Sequence, residues 1–185
     1  SLQLSGIMHK NSLANLQIRL PIVVIGAGLT ATDTATESLT YYALQVEKFL
    51  SRYEKHGDKF FTTLSLEQKE IAHEFIEHAK LLRLYPEKQK ELLRNWGGVS
   101  ILYRKQIESS PSYRLNHNEL SVAFDEGISF ISNAIPKAVE IDKFGSCSAL
   151  HYNQEDQVKS ITAKTILIAN GTQPYVCIGL EAPEV

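Results

Sequence analysis

Thiols are scarce in this chain: Cys147 and Cys177 are its only cysteines, and no CxxC spacing joins them. That excludes a redox dithiol and a cysteine metal cluster, and both residues read as small packed side chains. An excess of one charge is missing too. Lys and Arg total 19 against 21 Asp and Glu, for a net charge of −2 and a pI near 6.3. Such a balance argues against a nucleic-acid or anionic-membrane partner. No apolar run approaches the ~20 residues needed to span a bilayer. Residues 1–6 lack the basic start and long apolar centre of a secretory leader, so the expected location is cytoplasmic. No Ser/His/Asp set, paired carboxylates or metal cluster is present, so no catalytic residue and no metal ligand is assigned. What remains is 43% hydrophobic and 22% charged, ordinary for a globular protein, and 185 residues suffice for one domain with a real core or one domain carrying a sizeable insertion.

The stretch that organises the chain is Leu20-Pro21-Ile22-Val23-Val24-Ile25-Gly26-Ala27-Gly28-Leu29-Thr30-Ala31. Residues 22–25 form a β-branched run, the mark of a parallel strand buried on both faces. Gly26-x-Gly28-x-x-Ala31 follows at once and opens a helix, the context that a dinucleotide fingerprint requires. Gly26 permits the tight turn, Gly28 has no Cβ to obstruct a pyrophosphate, and Ala31 lets helix and strand pack closely. The first helical turn then offers unpaired N–H groups and the positive end of the helix dipole to phosphates. The motif alone leaves two alternatives open: a tight turn with no ligand, or another nucleotide such as S-adenosylmethionine.

Residues 1–19 read as the tail of a short helix with no start signal of its own, which predicts that the natural polypeptide extends upstream. Beyond the glycine turn, Ala35, Leu39, Tyr42, Val46, Phe49 and Tyr53 alternate by four and three, giving one apolar face of a long helix stopped at Gly57. Ser65-x-x-Gln68 is a capping box for a second helix, ended by Tyr85-Pro86. A third helix is expected from Glu87 to Trp96, ended by Gly97-Gly98. Residues 43–96 thus form a helical insertion with evenly mixed charges, a solvated surface that packs on itself or on a partner. Its His73 and His78 are five apart and face different sides, which favours packing over a metal site. Then come a strand over residues 99–103, a polar loop, a helix over 115–126 and a strand over 127–131. A three-stranded antiparallel meander follows from Val139 to Ala163, and the described pattern closes on a buried strand, residues 165–169. The order predicts an α/β fold, a parallel sheet with helices on one face and the meander on the other.

Four segments resemble the NADPH-binding domain of two-dinucleotide flavoprotein reductases, above all the glutamate synthase small subunit and related pyridine nucleotide oxidoreductases. Gly26-Ala27-Gly28-Leu29-Thr30-Ala31-Thr32-Asp33 is similar to that family's Gly-Gly-Gly-Asn-Thr-Ala-Met-Asp. Tyr103-Arg104-Lys105 is similar to its Tyr-Arg-Arg, which receives the adenosine 2′-phosphate. Pro111-Ser112-Tyr113, with Glu119 and Glu126-Gly127-Ile128-Ser129-Phe130, resembles its Pro-Ala-Tyr…Glu…Glu-Gly-Val-Glu-Phe. Ile166-Leu167-Ile168-Ala169-Asn170-Gly171-Thr172-Gln173-Pro174 resembles the strand end where that domain meets the flavin half. The resemblance implies a Rossmann-like NAD(P)-binding domain. Its implied cofactor contacts are Gly26, Ala27, Gly28, Leu29, Thr30, Ala31, Tyr103, Arg104, Lys105, Asn170, Gly171 and Thr172.

The departures bear on chemistry. Leu29 replaces Asn, Lys105 replaces an Arg and loses its planar fork, and Tyr175 stands where Asn often follows the Pro. The insertion moves the second strand about 70 residues beyond Gly28, where a dinucleotide fold usually needs ~20. Glu47 falls at the acidic ribose position by counting, yet it lies within the long helical pattern. The basic pair Arg104-Lys105 ends the true second strand and favours NADP(H) over NAD(H). A member of this family also needs FAD, bound through a second glycine fingerprint, and Gly6, Gly26 and Gly28 are the only glycines before Gly57. The expectation is an NADPH-binding domain that works with an FAD domain or subunit outside these residues and is inactive alone. A second reading, a nucleotide-binding or interaction module with no redox role, stays open.

Overall fold

The computed structural model describes residues 16–171. Thr172, Cys177 and Tyr175 lie outside the described residues, as does most of the expected lead-in helix. In chain order the elements are β1 (Ile22–Ile25), α1 (Leu29–His56), α2 (Leu66–Leu84), α3 (Gln89–Asn95) and β2 (Val99–Leu102), then α4 (Pro111–Leu115), α5 (His117–Asp125) and β3 (Ser129–Ile131). They close with β4 (Ile135–Ile141), β5 (Cys147–Gln154), β6 (Gln157–Thr162) and β7 (Thr165–Ile168). Short 3₁₀ turns lie at Gly57–Thr63, Pro86–Lys88 and Ile107–Ser109.

Strands β3, β2, β1 and β7 lie side by side in that order as a parallel sheet, and β4, β5 and β6 form a separate antiparallel sheet. Successive side chains of a strand point to opposite faces. Ile22 and Val24 therefore enter the core made with the helices, while Val23 joins Leu102, Ala134, Leu150, Tyr152 and Ala163 under the meander. Burial on both sides is why this run is continuously apolar rather than alternating. The fold is Rossmann-like mixed α/β, with helices on one face of the parallel sheet and the meander on the other.

Helix α1 runs 28 residues and stops where predicted: Gly57 takes φ +61° and its N–H returns to the Tyr53 carbonyl, with Lys55 and His56 in the last turn. At α2, the Gln68 N–H donates to Ser65 Oγ (3.2 Å) and the Ser65 N–H donates to Gln68 Oε1 (2.9 Å), closing the capping box in both directions. Aromatic edges join the helices, Phe75 meeting Tyr42 and Phe49 at centroid separations of 6.0 and 5.6 Å. The insertion shares its interior with the sheet, because Val46, Leu50, Ile71, Phe75, Ile76, Ala79 and Leu93 lie in one apolar cluster with Ile22, Val24, Val99 and Ile101.

Besides shifts of one or two residues at several ends, three features differ from the sequence reading. The third helix begins at Gln89, because Pro86–Lys88 forms a 3₁₀ turn first. Residues expected as polar loop form α4 instead, since Pro111 suits a first helical turn and Ser110 Oγ accepts from the Tyr113 N–H at 3.1 Å. The meander opens at Ile135, not Val139. Pro136 obscures it, and the pairing register shifts between Pro136 and Ala138.

Candidate functional site

At the carboxyl end of β1 the chain must turn at once, since Gly26 sits between two neighbouring strands. Its N–H donates to the Leu102 carbonyl at 3.1 Å, while the Ala169 N–H donates to the Ile25 carbonyl at 2.8 Å. Gly26 takes φ +135°, and a Cβ there would collide with the Ala169 carbonyl oxygen. Only glycine fits. Gly28 differs: its φ of −88° is ordinary, and a Cβ would meet nothing within 4 Å. Nothing inside the described protein requires glycine at position 28, so the empty space above it is available to a ligand.

Gly28 is the N-cap of α1, and its carbonyl accepts from the N–H groups of Ala31 and Thr32 at 2.9 and 3.1 Å. No side chain caps this end and the first turn holds no acidic residue. The donors of the first turn and the dipole behind them face the open space. Ala31 is fully buried against the strand. The Ala27 carbonyl accepts from the Ser112 N–H at 3.1 Å, and Thr32 Oγ1 bonds Ser112 Oγ at 2.8 Å, so α4 braces the turn.

These atoms floor a cleft of about 470 Å³. Its wall takes in Gly26, Ala27, Gly28, Thr30, Tyr103, Arg104, Asn170 and Gly171 of the expected positions. Leu29 and Lys105 are exposed off the wall, Ala31 is behind it, and Thr172 falls outside the described residues. Tyr103 continues β2 by one step: its N–H donates to the Ile131 carbonyl and its carbonyl accepts from the Ala134 N–H, both at 2.9 Å. Arg104 is the one charged residue on the described wall, and no carboxylate lines it. The field inside the cleft therefore favours an anion. Ala134, Ile135 and Pro136 close the far side, residues that carried no sequence signal because they open the meander.

The cleft sits where strand order reverses. The chain leaves β1 for β2 on one side and returns to β7 on the other, and this switch point is where open α/β sheets bind ligands. Glu47 is remote from it, held in α1 by Arg83 at 2.7 Å. His73 and His78 are packing groups: His73 stacks on Phe61, and His78 lies flat on Trp96 at 3.6 Å while bonding the Tyr42 hydroxyl at 2.6 Å. Among the described residues no group of three or more His, Cys, Asp or Glu could hold a metal ion. No helix of these residues is long and apolar enough to cross a membrane.

Fold and cleft together define a Rossmann-like α/β domain with an anion-favouring crevice at its switch point. No family model matches the chain. An uncharacterized protein of Rickettsia prowazekii strain Madrid E is 41% identical over 155 residues, which make up 83% of this chain and 21% of that protein. The chain thus spans about a fifth of the relative's length. Among solved structures, a thioredoxin reductase from Streptococcus pyogenes aligns with a TM-score of 0.45 at 11% identity, covering 86% of this chain and 34% of that one. Bacillithiol disulfide reductases from Bacillus cereus and Staphylococcus aureus align with TM-scores of 0.42 at 12% and 16% identity, each covering 85% of this chain and 31% of theirs. Likeness at this level decides neither substrate nor cofactor.

Proposed function

We propose that the chain is the NADPH-binding domain of an FAD-dependent pyridine nucleotide oxidoreductase of the glutamate synthase small-subunit-like kind. Its flavin is held by a domain or subunit outside these residues. The observation that carries the reading is the unfilled space over Gly28, at the uncapped start of a 28-residue helix and at the switch point of the sheet. A pyrophosphate fits there: the missing Cβ allows close approach, and backbone N–H groups answer its charge. Val99–Leu102 lies beside Ile22–Ile25 in register, so Arg104 follows the strand end next to the glycine turn. Its guanidinium suits a dianionic 2′-phosphate, and Lys105 adds charge nearby. NADPH, when bound, supplies the hydride. The chain's own residues bind and orient the nucleotide, and none is assigned a proton transfer.

Calorimetric titration of NADPH and NADH into the wild-type chain and Arg104→Glu tests this. A charge-assisted hydrogen bond contributes ~1.5–3 kcal/mol, so NADPH should weaken roughly tenfold to a hundredfold. NADH should bind both proteins alike, having no phosphate at that position. Equal losses for the two would assign Arg104 to the adenine or the fold. No binding of either to the wild type would favour an interaction module without a redox role.

A further inference from the structure

Behind the glycine turn lies a buried pair of hydroxyls. Ser112 in α4 and Thr32 at the start of α1 are 1% and 2% exposed, and their oxygens bond at 2.8 Å. A neutral bond of this kind contributes little net stability, and apolar groups of the same shape in both places would serve the core nearly as well. Its effect lies in what it fixes. The Ser112 N–H donates to the Ala27 carbonyl at 3.1 Å, and Thr32 Oγ1 stands 3.5 Å from the Gly28 carbonyl. The pair thus grips both carbonyls of the turn. The peptide joining Ala27 to Gly28 is trans, so its N–H points opposite to its C=O. With that carbonyl drawn to Ser112, the Gly28 N–H faces away from the buried pair, and no described backbone carbonyl accepts it.

We propose that Ser112 and Thr32 are positioning residues, which orient the peptide between Ala27 and Gly28 so that the Gly28 N–H meets the pyrophosphate of a dinucleotide. The inference rests on the nucleotide reading above and adds to it the groups that aim the turn. Arg104 answers the phosphate that only NADPH carries. The hydroxyl pair acts instead on the pyrophosphate that NADPH and NADH share.

Calorimetric titration of both nucleotides into Ser112→Ala, Thr32→Val, their double variant and Thr32→Ser tests this, together with NMR of the ligand-free 185-residue chain. Loss of either hydroxyl should weaken NADPH and NADH alike, by roughly threefold to tenfold. The double variant should bind no more weakly than either single one, since all three lack the same hydrogen bond. Its melting temperature should stay within about 4 °C of wild type, which separates lost affinity from lost stability. Thr32→Ser keeps the hydroxyl and should keep the affinity. Without ligand, Ser112→Ala should move the Gly28 amide resonance, which a mere loss of stability would leave in place. The proposal is overturned by unchanged affinities, by additive losses in the double variant, by an equal loss in Thr32→Ser, or by an unmoved Gly28 resonance. A loss confined to NADPH would also overturn it, because the effect would then lie at Arg104. Failure of the wild type to bind either nucleotide would refute the nucleotide reading itself. The ligand-free spectra then judge the grip on the turn separately, a moved Gly28 resonance upholding it and an unmoved one refuting it.

Discussion

Gly26 and Gly28, two residues apart, answer different demands. Gly26 is required by the fold: its positive φ and the Ala169 carbonyl leave no place for a Cβ. Gly26→Ala should lower stability in urea unfolding by at least ~2 kcal/mol, since a strained backbone well costs ~1–3 kcal/mol before the collision is counted. Gly28→Ala should leave the unfolding free energy within ~0.5 kcal/mol of wild type, because its added methyl meets open space. The same variant should weaken NADPH at least about tenfold. An unaltered affinity would show that no phosphate approaches there. The sequence pattern marks both glycines alike, and the backbone turn with the Ala169 carbonyl just past β7 separates them.

Helix α2 is tied to the loops that enter β1 and β7 by one carboxylate. Glu74 accepts from Arg19 and Lys164, each at 2.7 Å. Burial alone would raise its pKa, but the hydrogen bonds from Arg19 and then Lys164 outweigh that and hold it below the ordinary 4.5. A carboxyl depressed in the fold stabilises fully above its unfolded pKa and loses that contribution as pH falls through the native value. Glu74→Gln should therefore cost ~1–3 kcal/mol at neutral pH. Below about pH 4.5 its stability should fall less steeply than that of wild type.

His78, one turn further on, responds in a different window. Burial lowers its pKa from the ordinary 6.5 and outweighs the opposing charges of Glu74 and Glu77, so it is neutral against Trp96 and Tyr42. As pH drops below about 6.5 the unfolded chain takes up a proton first, and stability declines until the native value is passed. Thermal melts of wild type and His78→Gln between pH 8 and about 5 check this. The glutamine variant should lose part of the wild-type decline, and identical slopes would refute the assignment. Neither contact was legible from spacing. His73-x-x-x-x-His78 shows only that the two rings diverge, whereas their stacking partners come from residues far along the chain.

For the whole molecule, the cluster that joins the insertion to the sheet implies one cooperative unit. Leu50 and Phe75 are buried with Ile22 and Ile101 in the same interior. Phe75→Ala should cost ~3–5 kcal/mol and lower the melting of the entire chain. Circular dichroism and the fluorescence of Trp96, which packs against that cluster, should report one coincident transition. Two separated transitions would show that the helices of the insertion unfold apart from the sheet.

Local chemistry alone determined much of this protein. The continuous run Ile22–Ile25, the glycine turn, the capping box Ser65–Gln68 and the stop at Gly57 act through neighbours within a turn, so their outcome is written in adjacent residues. Alternating patterns marked most of the meander for the same reason. Tertiary structure decided what depends on distant strands. It set β7 beside β1, which creates the switch point, and brought Ala134–Pro136 over the cleft to leave Arg104 as its lone described charge. Pairing partners far apart in sequence leave no periodic trace in either segment, so these arrangements exist only once the sheet and helices have packed.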